Sequence, residues 1–125
     1  MRKVQKPLPE LLKEYDIPVG IFPRYATNYE LDQETKKLTV HIGERCQITY
    51  RDASIVRFNS TVTGHLEKRK LAEIEGMKTK VTFHFITVSV ILCEQTDIHF
   101  TAGLWRTRSR AAYEVVRDGI GIDKF

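Results

Sequence analysis

Apolar residues recur at helical spacing at the start of the chain and at alternate positions for most of its length. In PLPELLKEYDIPVG, Leu11, Leu12 and Tyr15 recur at helical spacing behind Pro9, which suits a first-turn position, so a short amphipathic helix is predicted. Residues 16–20 end it, because Pro18 and Gly20 continue a helix poorly. From Tyr25 the period falls to two. Tyr25, Thr27, Tyr29 and Leu31 alternate with polar partners, DQETKK supplies a turn, and Leu38, Val40 and Ile42 alternate again, which predicts a β-hairpin. A second hairpin follows. Cys46, Ile48 and Tyr50 share one face, RDAS turns, and Val56, Phe58, Val62 and Leu66 line a long strand in which Gly64 marks a bulge or bend. The tetrad EKRK then reverses the chain, and LAEIEGMKTK leads on through a short strand and a glycine turn.

VTFHFITVSVILCE, residues 81–94, is the densest run of β-branched and aromatic residues. Val81, Phe83 and Phe85 fall on one face of a strand drawn through it, whereas Ile86, Val88, Val90 and Leu92 fall on the other. Such a parity switch predicts a bulge or a strand covered on both sides. EQTD closes a hairpin whose return strand carries Ile98, Phe100, Ala102 and Leu104. SRAAYEVV reads as a C-terminal helix, with Ser109 as N-cap, Ala112, Val115 and Val116 on one side, and Gly119 stopping it. The predicted fold is mainly β (α+β): an antiparallel bent sheet or partly open β-barrel of about 7–9 strands, with a short N-terminal helix and a C-terminal helix. No repeat or linker divides residues 1–125, so a single domain is expected.

A chain of this size buries a core without disulfide help. Cys46 and Cys93 lie in or at the end of apolar runs, which suits free core thiols. Neither they nor His41, His65, His84 and His99 have metal-ligand spacing, so no cofactor is expected. No GxSxG elbow occurs, and DGIGID follows a helical pattern instead of opening one, so neither a nucleophile elbow nor a phosphate loop is predicted. The chain is read as a non-enzyme. The N-terminus lacks an apolar signal region, which favours a cytoplasmic location for the chain as given; a secreted one would need a leader already removed. The apolar run is too short to span a bilayer as a helix, so no transmembrane segment is expected.

A net charge of +4 favours anionic partners without choosing among them. Basic residues cluster as Arg2, Lys3 and Lys6, as Lys68, Arg69 and Lys70, and as Arg106, Arg108 and Arg110. The last three alternate after Trp105 and share a face while the chain stays extended, which makes them the best anion-binding candidates. Nucleic acid is not the expected partner, because no aromatic RNA-binding signature accompanies them.

Three segments in order, LLKEYDIPVGIFP, TVTGHLEKRKLAEIEGMKTKV and FTAGLWRTRSRAAYEVVRDGIGIDKF, cover most of the chain. With these the sequence closely resembles the plant family known as domain of unknown function five-three-eight. The resemblance implies a small, often stress-responsive plant protein with a β-rich, barrel-like sheet and flanking helices. It also implies distant similarity to lipid-binding proteins of the bactericidal permeability-increasing type, with chlorophyll binding or ester hydrolysis as proposed activities. The family supplies no agreed catalytic residues to carry over. Many relatives carry a secretory signal, and relatives often have Lys-Lys where this chain has Leu104 and Trp105.

Two uses are open for the surplus of apolar strand faces: filling the core, or lining a cavity for a lipid or pigment. In the second reading Phe58, Val62, Phe83, Phe85, Phe100, Leu104 and Trp105 are the candidate ligand-binding residues, with each buried methylene contributing ~0.8 kcal/mol. The large side chains among them favour filling. The alternatives are a protein-interaction module using a sheet edge or the C-terminal helix and tail RDGIGIDKF, and a weak ester hydrolase.

Overall fold

The computed structural model describes residues 5–123, so Arg2 and Lys3 of the N-terminal basic cluster and residues 124–125 of the tail lie outside the described residues. Helix α1, Leu8–Glu14, buries Leu8, Leu11 and Leu12 and carries proline in its first turn, where the missing N–H had no helical partner to lose. Asp16 ends it in the left-handed region at φ 55°. The Ile17 N–H then donates to the Leu12 carbonyl (2.9 Å) and the Asp16 N–H to the Lys13 carbonyl (3.0 Å), a Schellman closure with aspartate in the glycine position. A single 3-10 turn, Val19–Ile21, follows.

The strands are β1 (Asn28–Leu31), β2 (Lys37–His41), β3 (Cys46–Thr49), β4 (Ile55–Glu67), β5 (Lys70–Val81), β6 (His84–Thr87), β7 (Val90–Cys93), β8 (Asp97–Ala102), β9 (Leu104–Ser109) and β10 (Ile120–Gly121). They form one 10-stranded sheet, more strands than the sequence pattern indicates. All the pairings are antiparallel. The long hairpin β4–β5 is its spine. The first half of β4 pairs with β3 and its second half with β2. On the far side, the end of β5 pairs with β6 and its start with β7, from which β8 and β9 continue.

Register slips between Phe58 and Thr63 and again between Thr63 and His65 bend this spine. Glu73 (φ 51°) and Gly76 (φ 93°) take up the bend on β5, so the irregularity sits opposite the segment around Gly64 that the sequence marks. The two half-sheets fold toward each other, and their apolar faces meet in one cluster with Leu12, Ile21 and Phe22. Because β1 and β9 end the sheet without pairing each other, it is an open curl and no closed barrel.

Four sequence expectations need correction. LAEIEGMKTK is not a short strand and a glycine turn, because β5 runs on through Gly76. Residues 81–94 are no continuous strand: Thr82, at φ 58°, turns the chain with Phe83 between β5 and β6, and a break at residues 88–89 separates β6 from β7. The parity switch therefore reflects this interruption. The return strand from Ile98 likewise stops at Gly103 (φ 73°), where Ala102 pairs with Leu104 across a tight turn. No C-terminal helix forms; only a 3-10 turn, Arg110–Tyr113, is present, and Ser109 makes no side-chain cap bond. Eight residues are marginal for a helix, and here docking overrides propensity. Tyr113 turns fully into the core, and the backbone carbonyls of Tyr113 and Val115 lie against Gly20, where a Cβ would approach them to 2.5 and 2.3 Å.

Both cysteines are free and buried. Burial pushes the Cys93 thiol from an ordinary 9.0 up to about 12 and raises that of Cys46 as well. A raised folded-state value favours the protonated thiol, so its stabilising contribution is complete below the unfolded value and is lost as pH rises between about 9 and 12. Urea midpoints should hold level up to about pH 9 and fall above it, and neither thiol should react with maleimide at neutral pH until the chain unfolds. Labelling of the native protein at the rate of a free thiol would contradict the burial of these groups.

Candidate functional site

The residues proposed from sequence to line a ligand cavity separate into two groups. Phe58, Val62 and Phe100 are 0%, 1% and 1% exposed and belong to the filled core. Phe83, Leu104 and Trp105 are on the surface at 85%, 68% and 54%. Phe85 is half-buried on the outer face, where the Arg57 guanidinium lies 3.6 Å from its ring centroid. Leu104 and Trp105 follow the β8–β9 turn, and Phe83 sits in the β5–β6 turn. β5 and β8 both run antiparallel to β7, so the two turns leave the sheet in the same direction. A Cβ at Gly103 would lie 3.7 Å from Ile86 of β6, so the two hairpins touch.

Strand alternation turns Arg106 and Arg108 to the same face of β9 as Leu104, toward the core side, with Arg106 directly opposite Phe100. Arg108 turns one nitrogen inward. Its Nη1 donates to Thr79 Oγ1 (2.9 Å) and to Tyr113 Oη (3.0 Å), and its guanidinium lies 4.8 Å from the Phe100 ring centroid. Tyr113 Oη shares a 2.5 Å hydrogen bond with Ser54 Oγ, which donates to Asp52 Oδ1 (2.5 Å), so a chain of hydroxyls links the cation to a carboxylate. Thr79, wholly buried, donates its own hydroxyl hydrogen bond to the Ile55 carbonyl (2.8 Å). Burial raises the Tyr113 hydroxyl above its ordinary value, which keeps it a proton carrier in this chain.

Arg110 lies beyond the strand and is tied to acids of the protein itself. It donates to Asp16 Oδ1 (2.9 Å), Glu114 Oε1 (2.7 Å) and the Glu94 carbonyl (3.0 Å). Arg106 differs from both neighbours: its Nε is buried and has no hydrogen-bond partner among the described residues. A guanidinium N–H removed from water without an acceptor costs free energy, on the order of 1–3 kcal/mol or more for a charged group. An oxyanion would satisfy it, in the forked geometry that guanidinium favours.

On the outer face of β8 and β9, His99 Nε2 lies 2.6 Å from Glu94 Oε1 and Nδ1 lies 2.8 Å from Thr107 Oγ1, with the ring stacked on Trp105 at 5.2 Å. The order carboxylate, imidazole, hydroxyl is that of a nucleophilic triad. Acyl transfer also needs N–H groups aimed at a developing oxyanion. His99 and Thr107 are opposite one another in the ladder of β8 and β9, so the contact is a cross-strand pair. The described part of the tail is similarly engaged. β10 pairs with β3, the Ile122 N–H donates to the Arg45 carbonyl (3.1 Å), and a Cβ at Gly119 would lie 2.6 Å from Tyr25 Oη. An apolar groove of about 220 Å³ beside α1, lined among others by Pro9, Leu12, Phe22 and Val116, contains none of the candidate ligand- or anion-binding residues.

The model of the family described as "Protein of unknown function, DUF538" matches residues 8–114. The chain belongs to this family. The DUF538 match runs from α1 through the 3-10 turn that carries Tyr113, and so includes both hairpins of the open end. The chain is also 58% identical over 123 residues to the "Uncharacterized protein At5g01610" of Arabidopsis thaliana, covering 98% of this chain and 72% of that one. Neither relation assigns an activity to DUF538 proteins. Among the described residues no helix is long and apolar enough to cross a membrane.

Sequence reasoning selected Arg106 and Arg108 by their alternation but missed what distinguishes them. Thr79, Ser54 and Tyr113 come from three distant segments, and nothing in their local sequence marks them as partners of Arg108.

Proposed function

We propose that this DUF538 protein is a non-enzymatic binder of an amphipathic anion, such as a lipid or pigment bearing a carboxylate or phosphate. The head lies against Arg106 and the tail runs along Ile86 and Leu104. The buried Arg106 Nε, lacking an acceptor, is the observation that carries this reading. Its surroundings support it: apolar side chains of graded exposure stand on one side, and on the other is Arg108, whose Nη1 is already bonded to Thr79 and Tyr113. The filled interior favours a ligand lying at the edge of the sheet over one enclosed within it.

Displacement of a fluorescent fatty acid by laurate, dodecanol and dodecyltrimethylammonium tests the charge requirement. Laurate should compete, dodecanol weakly, and the cation not at all. Arg106→Gln should weaken laurate by about tenfold to a hundredfold, the loss of one charged hydrogen bond. Arg106→Lys, which keeps the charge without the fork, should fall between. Equal affinity in wild type and Arg106→Gln would remove Arg106 from the site.

A further inference from the structure

Residues 76–93 and 98–109, which lead into and out of the two turns, hold Lys78, Lys80, Arg106 and Arg108 and no acidic residue; the rest of the chain has sixteen basic and sixteen acidic residues. The whole positive excess therefore falls in these two segments, and Asp52, the acid of the neighbouring β3–β4 turn, is hydrogen-bonded to Ser54. At their tips stand the most exposed large apolar side chains of this end, Phe83 (85%) and Leu104 (68%), with Trp105 (54%) beside the second. Lys80 pairs with Phe85 and Lys78 with Thr87 just behind the Phe83 turn, and Arg57 lies opposite Lys78.

We propose that the turns at residues 82–83 and 103–105 dock the protein on an anionic phospholipid bilayer. Phe83 and Leu104 enter the apolar boundary, while the lysines and arginines behind them meet the headgroups. This deepens the amphiphile-binding reading, on which it rests for one step only: docking brings Arg106 to a lipid head while the tail remains in the membrane.

Apolar tips backed by cations match the two layers of such a surface, acyl chains beneath anionic headgroups. A second copy of the chain fits poorly, since it would bring two basic ends together. Single-stranded nucleic acid would need free aromatic faces for stacking. Here Trp105 lies against His99 and Phe85 against Arg57, which leaves Phe83 as a single free ring, and the other most exposed apolar side chain of this end, Leu104, is aliphatic.

Sedimentation of the full chain with vesicles of phosphatidylcholine alone, or of phosphatidylcholine with phosphatidylserine, tests this. Binding should require phosphatidylserine and weaken as salt rises. Phe83→Ser should reduce it about tenfold and Lys80→Glu at least about fivefold, both at unchanged melting temperature. Both variants should still bind laurate, whereas Arg106→Gln should weaken laurate by about tenfold to a hundredfold and vesicle binding by only about fivefold, the loss of one cation at the headgroups. Equal binding to neutral vesicles, no effect of Phe83→Ser, or a preference for an oligonucleotide over anionic vesicles would each overturn membrane docking. Vesicle binding without any laurate binding would instead sink the amphiphile site and leave the docking surface standing.

Discussion

Replacing Tyr113 by alanine is expected to destabilise the protein by about 4–8 kcal/mol. Tyr113 is 0% exposed, and its ring packs against Tyr50 at 4.0 Å and Phe100 at 5.4 Å between centroids. Deleting a buried aromatic ring costs about 3–5 kcal/mol. Losing the hydroxyl that joins Arg108 to Ser54 and Asp52 adds about 1–3 kcal/mol, because the buried cation loses an acceptor. The sum, about 4–8 kcal/mol, is comparable with the lower part of the usual total stability of about 5–15 kcal/mol. Tyr113→Phe separates the two contributions. It keeps the ring, should fold, and should lose only about 1–3 kcal/mol in urea unfolding followed by circular dichroism. Wild-type stability in Tyr113→Phe would mean that the hydroxyl chain contributes nothing to holding Arg108.

Gly76→Ala should destabilise the fold by about 2–5 kcal/mol. Gly76 sits at φ 93°, where an L side chain is strained by about 1–2 kcal/mol. Its Cβ would also lie 2.5 Å from the Thr61 carbonyl oxygen, a backbone atom of the neighbouring strand that cannot swing aside. Overpacking of that kind costs about 1–3 kcal/mol more. The residue stands where β5 bends against β4, so the strain falls on the bend that brings the two half-sheets together. Gly43→Ala is the control: φ is again positive at 96°, but a Cβ there has no atom within 4 Å, so only the backbone strain should register. Equal effects at the two glycines would show that the close approach at the bend carries no cost.

The elements legible in the sequence were those whose burial is local. Leu38, Val40 and Ile42, and likewise Cys46, Ile48 and Tyr50, alternate because one face of each strand is buried, and a sequence records that directly. The turn after β5 was hidden because Thr82 and Phe83 are not turn formers; Thr82 is held in the left-handed region by the hairpin around it. The C-terminal segment has helical spacing, yet its carbonyls are placed against Gly20 by contacts nearly a hundred residues apart in sequence. The site divides in the same way. Alternation of Arg106 and Arg108 can be read from the chain, but that one meets Thr79 and Tyr113 while the other has a buried nitrogen without an acceptor depends on tertiary packing.

The Arg106 Nε–H group can be observed directly by nuclear magnetic resonance in the arginine side-chain region. Titration with laurate should shift that resonance saturably and slow its exchange with water, while dodecyltrimethylammonium leaves it in place. A signal indifferent to laurate, in protein that binds laurate elsewhere or not at all, would contradict the assignment of Arg106 as the receptor for an anionic head.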